Sequence, residues 1–180
     1  MKWLKRILVT LLAIVGISAM ALFLAGLRDG AHTMTVHVEV NKPRAAVWAH
    51  FHDPEKLKGW VNWLAEVKSL TPGNEGVGAR EVWIMIDRNN NNERMEISNE
   101  ITAIEPGRRV AFRLWVPKEF DGTATYEFEE AGANRTIVTG KSSYRFVNGF
   151  VQFMAPVVLR FAEKKMAADM EQFKVNVEKE

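Results

Sequence analysis

The sequence of 180 residues contains no cysteine, which excludes disulfide bonds, thiol nucleophiles and cysteine-based zinc sites. It also lacks the G-x-S-x-G turn of serine hydrolases, a glycine-rich phosphate loop and the H-E-x-x-H metal motif. The remaining titratable residues form no recognisable catalytic set. We therefore expect no cofactor and no bound metal, and the sequence leans against an enzyme without deciding that question.

An excess of positive charge is also missing once the N-terminus is set aside. Lys2, Lys5 and Arg6 are the only charged residues before Arg28, and the rest of the chain holds 21 basic against 22 acidic residues. The sequence pI of about 8.9 therefore comes from the N-terminal segment. A nucleic-acid partner has no support from charge.

One long hydrophobic run is present, because Ile7 to Leu27 are 21 consecutive residues without a formal charge. At about 1.5 Å per residue, a helix of this length crosses a hydrocarbon core of about 30 Å. The basic residues before it predict that the N-terminus stays in the cytoplasm and the remainder lies outside. We interpret residues 1–28 as a cytoplasmic stub and a single-pass anchor in the inner membrane, and residues 29–180 as one periplasmic domain.

Two other interpretations of this run stay open. A cleaved secretory signal has an apolar core of about 7–15 residues, and the small-x-small sequence Ala19-Met20-Ala21 falls inside the run rather than after it. A buried helix of a soluble protein is the third interpretation. The uncleaved anchor accounts best for the length of the run and its flanking charges.

Beyond the run, alternation and turn residues predict six strands and three helices. Residues 34–40 alternate as a half-buried strand does; Pro43 begins a helix, and Asp53-Pro54 begins a second one that runs through Trp60 to Val67. The C-terminal tail is helical, with its main part starting at Pro156, since proline breaks a helix interior. Antiparallel strands beside one long helix form an α+β layer structure. The other predicted strands cover 80–87, 93–104, 110–116, 123–129 and 136–146.

The inward faces of these strands carry small and polar residues among large apolar ones. Asn99, Gly140 and Ser142 occupy positions where a close-packed core prefers bulk, and Tyr126 and Tyr144 add hydroxyls that need partners. This pattern indicates an internal space between sheet and helix. The alternative is a packed core with satisfied polar groups and a β-bulge at Gly140.

Two side-chain clusters near the first helices have a functional and a structural interpretation. His50, His52 and Asp53 resemble metal ligands, but the i, i+2 spacing puts the two histidines on different helix faces, which favours a solvated helix end. Trp60 and Trp63 lie in the second predicted helix, where they either form a lid over the internal space or pack that helix.

A series of short motifs follows along the chain: Pro43-Arg44-Ala45-Ala46-Val47-Trp48, Phe51, Asp53-Pro54-Glu55, Trp60, Gly76-Val77-Gly78, 100–110 and Thr136. In order and spacing they resemble the START-like superfamily (SRPBCC), in particular its polyketide cyclase/dehydrase group, over about residues 34–177. The resemblance implies a helix-grip fold. In that fold a curved antiparallel sheet of about six to seven strands wraps a long C-terminal helix, with a hydrophobic cavity between them. A membrane span departs from the soluble pattern of the superfamily.

These observations predict a membrane-tethered binding module that holds a small hydrophobic or lipid-like ligand. One alternative is a polyketide cyclase/dehydratase-like enzyme whose tyrosines polarise substrate carbonyls. Another is an interaction protein that docks a protein partner through its sheet or its Trp60 and Trp63 surface, because a fold alone does not define a function.

Twelve residues are candidate ligand contacts because they lie on inward strand faces, in the second short helix or on the C-terminal helix. Two of them come from strand 80–87, which is bulky on both faces, so that periodicity leaves its inner face undecided. The set is Trp60, Trp63, Trp83, Met85, Asn99, Phe112, Leu114, Tyr126, Ser142, Tyr144, Phe153 and Phe161.

Overall fold

The computed structural model describes residues 2–26, 32–88 and 90–180. The helices are α1 (Lys2–Gly26), α2 (Arg44–His52), α3 (Pro54–Trp60) and α4 (Gly149–Lys179). The strands are β1 (His32–Val40), β2 (Leu64–Ser69), β3 (Arg80–Asp87), β4 (Glu93–Glu105), β5 (Arg109–Val116), β6 (Phe120–Gly132) and β7 (Arg135–Phe146).

All seven strands form one antiparallel sheet in the order β1-β7-β6-β5-β4-β3-β2. The sheet curves around α4, whose buried face packs against it, so the predicted α+β helix-grip fold is confirmed. The register runs without interruption through Gly140, which pairs with Val36 on one side and Tyr126 on the other. The alternative of a β-bulge at Gly140 is therefore wrong.

The seventh strand, β2, occupies a segment where the sequence predicts a helix through Val67, and that part of the prediction is wrong. Helix α3 ends at Trp60, because Val61 adopts an extended conformation and Trp63 has a left-handed φ of 74°. Leu64 then begins the pairing with β3. A short apolar segment of this kind fits either a helix or a strand, and its pairing partner decides between them.

Helix α4 begins seven residues before Pro156, so the prediction that its main part starts at that proline is also wrong. The side chain of Asn148 accepts hydrogen bonds from the backbone N–H groups of Phe150 and Val151. This N-cap satisfies two of the donors that a helix start leaves without partners. The helix then continues through Pro156 although the proline supplies no N–H to it.

A cluster of aromatic rings joins the helices to the sheet. The ring of Phe51 lies 5.2 Å from those of Trp60 and Phe128, and 5.7 Å from that of Phe173 (centroid distances). Together with the fully buried Val40, Val47, Val110, Val138 and Val177, these rings form the densest part of the core. Trp60 is part of this core rather than of a lid.

His50 is buried, with 4% of its surface exposed, so the prediction of a solvated helix end is wrong for this residue. Its Nδ1 lies 3.2 Å from Oε2 of Glu180, and its ring packs on Phe173. The C-terminal end of α4 thus covers the end of α2. Burial also lowers the pKa of the half-buried His52, against the opposing effect of the Glu75 carboxylate.

Nearly all residues of α1 whose burial is described are exposed, and the helix lies against α4. By length and composition, its segment Lys2–Ala21 is able to cross a membrane. The predicted boundary between anchor and domain, at Arg28 and Asp29, lies outside the described residues.

Candidate ligand-binding site

The cross-strand register brings five of the predicted contacts together on the inner face of the sheet. Asn99 pairs with Leu114. Leu114 and Tyr144 lie on either side of Gly122 of β6 and both pair with it. Phe112 and Ser142 occupy the adjacent row, two residues along their strands. Because successive rows on one face are neighbours, these side chains share one surface.

Register also decides the inner face of β3, which periodicity leaves open. Trp83 pairs with Ile97, and Met85 pairs with Met95, so both predicted contacts share the face of the inward-pointing β4 residues. The indole N–H of Trp83 donates to a carboxylate oxygen of Glu81 over 2.9 Å. That bond satisfies the polar edge of Trp83 and leaves its ring as apolar surface.

Burial falls along the strands from one end of the sheet to the other. Where Val40, Val110 and Val138 lie, the inner face is fully buried; we call this the closed end. Where Val116 and Phe146 lie, the inward residues keep partly exposed surface; we call this the open end. An apolar face that its own helix does not fully cover can accept apolar atoms of a ligand.

Tyr126 pairs with Val110 at the closed end, and its ring lies 4.8 Å from that of Phe51 and 6.3 Å from that of Phe112 (centroid distances). Burial raises the pKa of its phenol, with smaller contributions from Tyr144 and Asp169. Part of the Tyr126 surface nevertheless stays uncovered by neighbouring atoms.

Tyr144 lies flat across a glycine of the neighbouring strand. A Cβ on Gly122 would lie 2.6 Å from the Tyr144 ring and 2.7 Å from the carbonyl oxygen of Ser143, so only glycine fits there. Burial raises the pKa of the Tyr144 phenol, and a side-chain hydrogen bond with Ser142 opposes that rise. Both phenols are therefore neutral at physiological pH and able to donate a hydrogen bond.

Asn99 is a buried polar residue of this face, with 3% of its surface exposed. Leaving a buried amide without a partner costs about 1–3 kcal/mol. A ligand that enters this face can satisfy the amide by offering it a polar group.

The middle of α4 closes part of the space that the sequence predicts above the sheet. Met166 lies over Gly140, where its Cε would come within 2.5 Å of an added Cβ, and its sulfur lies 3.7 Å from Ser142 Oγ. Gly140 therefore marks a close approach of helix and sheet. The inner-face surface that stays partly exposed lies nearer the open end, around Leu114 and Val116.

Two of the predicted contacts, both on α4, lie away from the buried face of this helix. Phe161 is 68% exposed on the outer side of the helix. Phe153 is partly buried, but it stands two residues before the buried Ala155, about 200° away around the helix. Four partly buried residues of α4 lie at helical spacing from Ala155 and share its face, although none of them is among the predicted contacts: Val151, Val158, Leu159 and Ala162.

Trp63 lies at the surface beside this region rather than inside it. The ammonium of Lys165 sits 5.5 Å from the centre of its ring, and the backbone N–H of Asn62 donates to Asp169. A groove of about 380 Å³ runs past Trp60, Trp63 and Arg88. In the described part of the chain, no group of three or more His, Asp, Glu or Cys side chains is placed to hold a metal ion.

A curved antiparallel sheet gripping a C-terminal helix, with an inner face left partly uncovered at one end, defines a helix-grip protein of the START-like superfamily. The sequence matches the family described as polyketide cyclase/dehydrase and lipid transport over residues 31–178, and the chain belongs to this family. A comparison with curated proteins finds no match.

Solved structures of low sequence identity share the fold. A conserved protein of Geobacillus kaustophilus is 11% identical with a TM-score of 0.69, covering 82% of this chain and 96% of its own. The Zhui aromatase/cyclase of Streptomyces sp. R1128 is 16% identical with a TM-score of 0.66, covering 82% and 94%. A protein of Thermus thermophilus is 16% identical with a TM-score of 0.65, covering 81% and 97%.

Proposed function

We propose that the protein is a membrane-tethered binding module that holds a small hydrophobic or lipid-like ligand between the sheet and α4. The observation that carries the proposal is the partly exposed apolar surface of Phe112, Leu114 and Val116 on the inner face of the sheet, next to the buried Asn99. The family description names both cyclase/dehydrase chemistry and lipid transport. Binding of an apolar molecule is the part of that description which the lining favours.

The lining matches an apolar ligand that carries one or two polar groups. Phe112, Leu114 and Ile97 offer partly exposed apolar surface on the inner face. Covering such surface stabilises a complex by about 25 cal/mol per Å² of apolar area removed from water. Asn99 and the two neutral phenols are the groups that would orient the ligand by hydrogen bonding.

The membrane tether is supported by the length and charge of the N-terminal segment. Helix α1 contains one stretch able to cross a membrane, and three basic residues lie at its start. Because positive flanks resist translocation, we place the N-terminus in the cytoplasm and the domain on the periplasmic side of the inner membrane.

The proposal is tested by filling the internal volume without disturbing the closed end. Leu114→Trp adds an indole beside Asn99 and Tyr144, and Leu70→Trp makes the same change at an exposed position. Full-length protein is purified in detergent, the detergent is removed in the gas phase, and the retained small molecules are weighed by native mass spectrometry. We expect Leu114→Trp to lower the retained fraction about tenfold, which corresponds to about 1.4 kcal/mol.

The Leu70→Trp protein is the control for lipid that adheres to α1, because that adhesion is the same in all three proteins. Thermal melts confirm that both variants are folded. Equal retention by the wild type and the two variants would contradict an internal ligand site.

A further inference from the structure

The covalent connection keeps the open end of the sheet close to α1. Only five residues separate Gly26, the end of α1, from His32, the start of β1. At no more than about 3.6 Å per residue, this connection reaches about 20 Å. His32 pairs with Tyr144, and its ring lies 5.8 Å from that of Phe146, so it belongs to the open end.

Helix α4 begins at the same end and contacts α1 directly. Gly149, its first residue, follows shortly after Phe146, and α1 lies against α4. If α1 crosses the bilayer, as the proposed function requires, its contact with α4 keeps part of α4 close to the bilayer.

The first half of α4 carries a second apolar face, on the side opposite its buried face. Phe150, Met154, Val157 and Phe161 follow at spacings of four, three and four residues, which places them on one stripe of the helix. We call these four residues the outer stripe. Phe150 is 72% exposed and Phe161 is 68% exposed. Apolar side chains of this size are seldom left in water without a reason when they are grouped.

Basic and aromatic groups border the outer stripe where it ends. Arg160, Lys164 and Lys165 surround Phe161 on the helix, and Lys165 lies over the ring of Trp63. Beyond these residues the same side of α4 is occupied by polar residues such as Gln172. An apolar stripe bordered by tryptophan and by basic side chains is the pattern of a helix that lies in a membrane interface.

We propose that the outer stripe docks on the surface of an anionic lipid bilayer, with Phe150 and Phe161 inserted below the headgroups. This inference rests on the proposed function, because it needs α1 to span the membrane. Arg160 and Lys164, which are exposed beside Phe161, then face lipid headgroups, and the open end of the sheet faces the acyl chains.

The chain contains no cysteine, so single cysteines can be introduced and labelled with an environment-sensitive fluorophore. The test positions are Phe150→Cys and Phe161→Cys, and Ile14→Cys reports on α1. Leu70→Cys and Val77→Cys are matched controls, since both native residues are exposed and apolar. Both lie in the β2–β3 connection, at the ends of these two strands that are farther from the open end of the sheet. The labelled full-length proteins are reconstituted in nanodiscs of phosphatidylcholine and phosphatidylglycerol.

We expect labels at 150 and 161 to be quenched by nitroxide lipids at a depth of about 5–10 Å and to be shielded from iodide, while labels at 70 and 77 stay open to iodide. If 150 and 161 behave like 70 and 77 while 14 is quenched by lipid, docking is wrong and the tether stands. If 14 is also open to iodide, the tether fails and the docking with it. Shielding of 150 and 161 from iodide without lipid quenching indicates a protein contact and overturns the proposal.

Discussion

At the scale of single residues, the two tyrosines define the chemistry of the interior. The sequence contains two tyrosines, Tyr126 and Tyr144, and burial raises the pKa of both phenols. A buried tyrosine is stable in its neutral form, since the charged phenolate loses its hydration. The site therefore offers hydrogen-bond donors without charge, which suits a ligand with a carbonyl or hydroxyl group.

A pH titration tests this description of the interior. We expect the folded protein at pH 10 to show less phenolate absorbance than the denatured chain, which titrates both tyrosines near their ordinary pKa of about 10. The sign follows from the raised pKa values: the stability contribution is complete below about pH 10 and is lost as the pH rises through the folded pKa values. Ultraviolet difference absorbance, with Tyr126→Phe to separate the two phenols, is the measurement. A folded protein that ionises one tyrosine at pH 10 would show that this phenol is solvated.

Individual residues also show how far the sequence alone can describe such a site. Asn99, Gly140 and Ser142 mark the inner face because they are small or polar among apolar neighbours, and the structure places all three there, buried. The sequence cannot say what covers them. Met166 fills the space above Gly140, whereas Leu114, which pairs with Asn99, keeps partly exposed surface. That difference depends on the crossing of α4 over the sheet, which is a tertiary property.

At the scale of elements, one buried carboxylate connects α4 to the segment between α3 and β2. Asp169 accepts hydrogen bonds from the backbone and side-chain amides of Asn62, at 2.9 and 2.8 Å, and from the Lys165 ammonium. This contact holds the chain where α3 stops and β2 starts. The charge of Asp169 also reaches the inner face, since it contributes to the raised pKa of the Tyr126 phenol.

Removing this carboxylate should loosen the connection. We expect Asp169→Ala to lower the free energy of unfolding by about 1–3 kcal/mol, because two amide donors of Asn62 and the Lys165 ammonium lose their acceptor. Asp169→Asn keeps one acceptor oxygen and should cost less. Urea unfolding of the three proteins measures the difference, and an Asp169→Ala protein as stable as the wild type would mean that water replaces the contact without cost.

The predicted elements that are wrong share a physical cause. The helix assigned to residues after Trp60 and the start assigned at Pro156 both came from local rules. In the structure, pairing with β3 makes 64–69 a strand, and the Asn148 cap starts α4 early. Strands with strict alternation, such as β1, needed no such help. Local pattern suffices where one face is buried, and it fails where a distant partner or a cap decides.

At the scale of the whole molecule, the proposed periplasmic location of the domain is the next property to measure. Helix α4 ends at Lys179, and Glu180 contacts His50 and Lys56, so a reporter needs a flexible linker after Glu180. We expect an alkaline phosphatase fused there to be active, because this enzyme is active in the periplasm. We expect a green fluorescent protein fused there to be dark, because it becomes fluorescent in the cytoplasm. A fluorescent, phosphatase-negative pair would place the domain in the cytoplasm and reverse the proposed orientation.

The difference in burial between the closed end and the open end affects how fast a ligand can bind and dissociate. Val40, Val110 and Val138 are fully buried at the closed end, while the inner face near Val116 and Phe146, where β5 and β7 end, is only partly buried. Exchange of a ligand then requires only fluctuations of the strand ends near Val116 and Phe146, which cost far less than separating the buried valine side chains. The residence time of the ligand and the melting temperature of the protein should consequently vary independently of each other. Substitutions at the open end can then change which ligand is bound without lowering the stability of the fold.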